Sequence, residues 1–182
     1  MYNGRMSSEY INEVDEQGNR LGVIEKLTAH ERGVLHEAFS IFVFNEVGEL
    51  LLQKRQVTKY HSGGLWSNTC CSHARAGEVV ADAAVRRLQE EMGFVCPLEF
   101  VGSFVYKAAL DNNLTEHEFD YLFVGQSNEV PTPNPEEVSD YRWVTLEVLK
   151  SELNSHPEQY TAWLSIIMNN DDLCKKITNV VC

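Results

Sequence analysis

The sequence predicts an α/β fold in which a β-sheet is covered by helices. Three observations carry that expectation: four β-prone runs spaced as strands, one stretch whose apolar residues recur at helical spacing, and two further helical patterns toward the C-terminus. A chain of 182 residues can bury one substantial core but is short for two ordinary domains. Residues 1–182 are therefore read as a single domain, with the tail after about residue 170 at its periphery.

Residues 38–44 and 50–54 are strand-like, and N-E-V-G-E at 45–49 reads as the turn between them. Residues 100–107 and 119–124 supply two more strands. Over 78–92 the positions Ala81, Ala84, Val85, Leu88 and Met92 form a helical stripe; Glu78 and Asp82 suit the N-terminal dipole, and Gly93 is placed to end the helix. Residues 146–153 and 157–168 are also helical in pattern, with Pro157 suited to a first turn and Trp163, Ile166 and Ile167 sharing a face. No internal repeat or low-complexity segment appears, and P-T-P-N-P-E-E at 131–137 reads as a surface loop.

Fifteen Lys and Arg against 27 Asp and Glu leave a formal charge of −12, which opposes an extended nucleic-acid surface. An anionic small molecule remains compatible, because a few cations decide the field inside a cleft. The N-terminus lacks a signal-like apolar stretch and no eighteen apolar residues run together, so a soluble cytoplasmic protein with no membrane partner is expected. A monomer is expected, with a homodimer as the alternative. Five cysteines without C-x-x-C spacing indicate reduced thiols rather than a disulfide scaffold or structural zinc cage, and the terminal Cys182 reads as part of a frayed tail.

The densest chemistry lies in N-T-C-C-S-H, Asn68 to His73. A thiol's pKa of about 8.5 moves down beside cations, a field that His73, Arg75 and Arg87 are expected to give Cys71, and successive strand residues point to opposite faces, so one of Cys70 and Cys71 at most can face a given cleft. The flanking Asn68 and His73 favour Cys71. His30, His36 and His73, with Glu116 and Glu118 of E-H-E, form a set able to bind zinc, manganese or a similar divalent ion. In that strand His117, Phe119, Tyr121 and Phe123 share one face, leaving the two carboxylates together on the other, where they need either water or a cation. On the helix Arg87, Glu90 and Glu91 share a face. They read either as a surface salt bridge or as Arg87 on a diphosphate oxygen and Glu91 on Mg²⁺, with Lys26, Arg55 and Lys59 completing the cradle.

Together, S-H-A-R-A-G-E…R-R-L-Q-E-E-M-G-F resembles a degenerate Nudix box, with Ser72 in place of the opening glycine and Arg87 in place of a glutamate of its metal-binding core. With Ile24-Glu25-Lys26, His30 and His36, L-W-S-N-T-C-C-S-H and E-H-E, the chain resembles the type I isopentenyl-diphosphate isomerase family from near residue 9 to at least Trp163. The resemblance implies a Nudix-like α/β/α sandwich with a mixed β-sheet flanked by helices. It also implies a metal-dependent interconversion of isopentenyl and dimethylallyl diphosphate without flavin. Positions matching Cys71 and Glu118 would then face opposite sides of the substrate double bond, with Tyr106 and Trp163 supporting a carbocation between the two proton transfers. His30, His36, His73, Glu116 and Glu118 would hold one divalent metal, Zn²⁺ or Mn²⁺, and Glu91 with the Cys71 carbonyl would hold Mg²⁺ beside the diphosphate. A Nudix hydrolase of nucleoside diphosphate derivatives is the alternative enzyme, and a metal- or nucleotide-binding module the non-enzymatic one.

Overall fold

The computed structural model describes residues 9–180, so Cys182 lies outside the described residues. The chain opens with a hairpin, Tyr10–Val14 (β1) and Arg20–Glu25 (β2), turned by the Asp15 carboxylate, which accepts from the N–H groups of Gln17 and Asn19. Helix Lys26–Arg32 (α1) follows, capped by Glu25, whose carboxylate accepts from Thr28 N–H. Strands His36–Phe44 (β3) and Leu50–Arg55 (β4) are joined by the predicted turn, in which Asn45 Oδ1 accepts from Val47 and Glu49 and Gly48 takes φ 80°. Two short strands, Trp66–Ser67 (β5) and Cys70–Ser72 (β6), precede helix Val80–Met92 (α2). Long strands Leu98–Ala109 (β7) and Thr115–Gln126 (β8), then Val138–Val144 (β9), complete one mixed sheet. Helices Leu146–Ser155 (α3), Ala162–Met168 (α4) and Asp171–Thr178 (α5) close the chain.

β3 is the spine of the sheet, and all nine of its residues are buried. It runs parallel to β8, pairs antiparallel with β6, and β8 pairs in turn with β7. Because strand side chains alternate, the sheet packs on both faces. Phe42, Phe44, Leu52 and Leu122 join Leu149, Leu164 and Ile177 of α3, α4 and α5, whereas Phe39, Ile41, Val43 and Phe123 join Ala84, Leu88 and Met92 of α2.

α2 ends as expected at Gly93, which adopts φ 78° and returns its N–H to Gln89. It begins two residues later than the pattern indicated, since Glu78 stays outside, accepting from Arg75 N–H and pairing with Arg86. The helix predicted over 157–168 is broken. Pro157–Gln159 makes one 3₁₀ turn, Tyr160 becomes extended, and Thr161 N–H donates to the Trp66 carbonyl at 2.9 Å, so a sheet contact interrupts the helical repeat. The segment after residue 170 is not peripheral: α5 buries Leu173, Cys174 and Ile177 in the same cluster as Trp163. Among the described residues no helix is long and apolar enough to cross a membrane.

If α5 belongs to the core, Ile177→Ala leaves a cavity and costs about 2–5 kcal/mol. Urea unfolding reads this directly, and a change within about 0.5 kcal/mol, the usual surface value, would put α5 outside the cooperative unit.

Candidate active site

Strand register assembles the site. His36 on β3 lies beside Glu118 on β8, and Glu118 lies opposite Tyr106 on β7. On the other edge of β3, Ser40 faces Cys71 on β6, and His73 follows just beyond that strand. α1 brings His30 in from the end of β2. The predicted alternation in β8 holds, but its polar face is the inner one: Glu116, Glu118 and Asp120 are buried while His117, Phe119 and Tyr121 are only half-buried. Solvent exposure of the two glutamates is therefore ruled out.

Ligand atoms of His30, His36, His73, Glu116 and Glu118 all lie within 4.8 Å of one another, and all five residues are buried. His30 Nδ1 donates to the Lys26 carbonyl and His36 Nδ1 to that of Val34, because a carbonyl can only accept; a neutral ring in either place turns a lone pair inward at Nε2. His30 Nε2 and Glu116 Oε2 are 3.0 Å apart, yet neither makes a hydrogen bond. His73 Nε2 sits 3.1 Å from His36 Nε2 and 3.0 Å from Glu118 Oε1. Burial holds the His73 imidazole well below its usual range, against the pull of Glu118. Facing lone pairs and buried carboxylates repel, and a shared cation removes that repulsion. The donor set therefore fits a divalent metal.

A cleft opens beside this cluster and is lined by Cys71, Tyr106, Glu118 and Trp163. Tyr106 donates to Glu118 Oε2 at 2.5 Å, and burial followed by the Glu118 charge pushes the phenol well above its usual range, so it stays a donor. Burial also works to raise Glu118, but wherever the His36 and His73 rings turn a proton toward it they hold it well below the carboxylate range. The expected lowering of the Cys71 thiol is reversed: burial pushes it up to about 12, and the Arg55 charge offsets this only in part. Its sulfur is 3.7 Å from Ser67 Oγ, which accepts from Trp163 Nε1 at 3.0 Å. Cys70, by contrast, is buried in the cluster beneath α2. Cys70, Cys71, Cys96 and Cys174 are free thiols.

The cleft also gathers Lys26, Arg55, Lys59, Arg87 and Glu91. Arg55 lies 5.3 Å over the Trp163 ring. Arg87 makes both anticipated helix pairs, to Glu90 at 2.7 Å and Glu91 at 2.6 Å, and reaches Glu137 at 3.3 Å. Glu137 also pairs with Lys59, and Lys26 pairs with Glu9 at 3.0 Å. Glu91 Oε2 accepts from Gln53. Ser67 lies within L-W-S-N-T-C-C-S-H, where pattern alone does not single it out, and Gln53, Glu137 and His61 have no motif that announces them; His61, 3.3 Å from Glu116 Oε1, reaches the cluster only through tertiary folding.

The NUDIX domain family matches residues 34–164. A Photorhabdus laumondii protein named isopentenyl-diphosphate Delta-isomerase 2 is 53% identical over 156 residues, 86% of this chain and 88% of its own length. An Aromatoleum aromaticum protein named isopentenyl-diphosphate Delta-isomerase 1 is 49% identical over 163 residues, 90% of this chain and 92% of its own. The chain belongs to the type I isopentenyl-diphosphate Delta-isomerase family. The fold of this isomerase-family chain is shared with a solved Deinococcus radiodurans structure at a TM-score of 0.73, covering 88% of this chain and 97% of the other; at 20% identity that likeness concerns fold alone.

Metal binding is expected to stabilise this family member. At 100 times its Kd, a divalent ion should add about 2.7 kcal/mol, a Tm rise of roughly 5–10 °C for a chain of this size, and His36→Ala should remove most of the increment. The gain fades as pH falls through the imidazole range, because protons compete for the ring nitrogens. Metal-independent melting of the wild type would contradict the site.

Proposed function

We infer that the protein interconverts isopentenyl diphosphate and dimethylallyl diphosphate, as a cytoplasmic catalyst working on a small anionic substrate. The observation that carries this is the placement of Cys71 and Glu118 on one cleft with Tyr106 and Trp163, while four cations gather along the same cleft. One proton adds to the terminal methylene carbon of isopentenyl diphosphate, leaving a tertiary cation at its neighbour. A second proton then leaves the methylene on the other side, and the double bond re-forms one position along. No electron is gained or lost, so two acid–base groups suffice to carry the conversion.

Cys71 and Glu118 divide these transfers, one giving and one receiving. A thiol pushed up to about 12 carries its proton at neutral pH, and the ionised Glu118 is oriented by Tyr106. Trp163 offers a π-face to positive charge, and its indole N–H is tied to Ser67 and Asn68, which fixes the ring. Lys59, Arg87, Arg55 and Lys26 bind the diphosphate. Zn²⁺ or Mn²⁺ held by His30, His36, His73, Glu116 and Glu118 would fix the Glu118 carboxylate and tune its proton affinity, and Mg²⁺ held by Glu91 and the Cys71 carbonyl would neutralise diphosphate charge. Arg87 stands where the hydrolytic Nudix box carries a carboxylate, which removes one of the metal-binding oxygens that hydrolysis relies on. All of these groups come from one chain, so we propose that a monomer suffices.

Purified protein given isopentenyl diphosphate and Mg²⁺ is expected to form an acid-labile allylic product without added flavin. Cys71→Ala and Glu118→Gln should each lower kcat by at least about 10²–10⁴-fold with unchanged circular dichroism. Wild-type turnover in either variant, or release of phosphate instead of isomerisation, would refute this assignment.

A further inference from the structure

We propose that His61 is a positioning residue of the cation centre, holding Glu116 so that one carboxylate oxygen stays turned toward the cation. The inference rests on the metal site proposed above. His61 is 4% exposed, and its Nε2 lies 3.3 Å from Glu116 Oε1, while Glu116 Oε2 faces His30 Nε2 at 3.0 Å. The two oxygens of one carboxylate are thus divided between the ligand cluster and His61. Ser62 Oγ lies 3.2 Å from His61 Nδ1. A hydroxyl donating there leaves the ring proton on Nε2, the nitrogen that lies 3.3 Å from Glu116 Oε1.

The surroundings hold this imidazole from every side. It stacks on His30 with centroids 5.5 Å apart and planes at 29°, and meets Trp163 edge-on at 6.1 Å. Arg55 donates to the His61 carbonyl at 3.3 Å, Ser62 N–H donates to Asp111 Oδ1 at 2.9 Å, and Asn112 Nδ2 donates to the Tyr60 carbonyl at 2.9 Å. Ser62 accepts φ 51°, a left-handed conformation that its Cβ disfavours, and Asn112 and Asn113 across from it take φ 57° and 58°. The disfavoured backbone at Ser62, held by the Asp111 carboxylate, and the left-handed Asn112, tied to the Tyr60 carbonyl, fix the loop that carries the ring. Outer partners that orient metal ligands typically matter by 10–100-fold in affinity.

The test is calorimetric titration of chelator-stripped full-length protein with Mn²⁺, comparing wild type with His61→Leu, His61→Gln and Ser62→Ala. His61→Leu is expected to weaken Mn²⁺ binding about 10–100-fold with the metal-free Tm unchanged. His61→Gln, whose amide N–H reaches toward the same oxygen, recovers most of the loss, and Ser62→Ala shows a smaller loss in the same direction. Equal affinity in wild type and His61→Leu would overturn the inference alone, as would equal losses in the Leu and Gln variants, which mark a packing role. A wild type that takes up no Mn²⁺ would overturn it together with the metal site. Should His61→Leu not fold, Ser62→Ala decides, and wild-type affinity there counts against His61.

Discussion

The parallel pairing of β3 with β8 is the constraint on which the site depends. Its register sets His36 beside Glu118, and the antiparallel pairing of β8 with β7 then sets Tyr106 against the same carboxylate. A slip of one residue would turn every side chain of β8 to the opposite face, carrying Glu116 and Glu118 outward and Phe119 and Tyr121 inward. The apolar core guards that register: Phe42 and Phe44 on β3 and Leu122 and Val124 on β8 lie in one cluster further along the same strands. Packing at one end of the sheet thereby fixes chemistry at the other.

Two electrostatic environments meet in the cleft. Beneath it, histidines and glutamates sit out of water with more lone pairs than protons to fill them, a state that a cation stabilises. At its mouth, cations collect in a chain whose formal charge is −12, and carboxylates already pair with them: Glu137 with Lys59 and Arg87, Glu9 with Lys26. On the proposed function, an incoming diphosphate competes with Glu137 for the same two side chains. Between these regions lie Cys71, Glu118 and Trp163, where an unsaturated hydrocarbon can be handled away from bulk water.

Much of this was legible in short-range pattern. The recurrence of Ala84, Leu88 and Met92 with Gly93 behind it marks α2, although Ala81 and Val85 of the same expected stripe face solvent, and the alternation in E-H-E-F-D-Y places two carboxylates on one face of β8 whatever the rest of the chain does. Pattern could not tell which face lies inward, because half-exposed Phe119 and Tyr121 look like core residues until the cluster beneath the other face is assembled. The helix predicted over 157–168 holds over Ala162–Met168 but breaks before it for a similar reason: the Thr161 to Trp66 hydrogen bond joins residues far apart in the chain and overrides local periodicity. α5 has too few turns to stand out, and β9, V-S-D-Y-R-W-V, carries charge that hides its strand character. His61 and Glu137 lie outside any motif, since their partners are brought to them only by the folded sheet and its loops.

The central claim is that two exchangeable groups, a thiol and a carboxylate, add one proton and remove another from the same substrate. Running the reaction in D₂O and locating the label by NMR tests it most directly. The account requires dimethylallyl diphosphate carrying solvent deuterium in a terminal methyl group, whereas product formed at full rate without deuterium would mean an internal hydrogen shift and would contradict it.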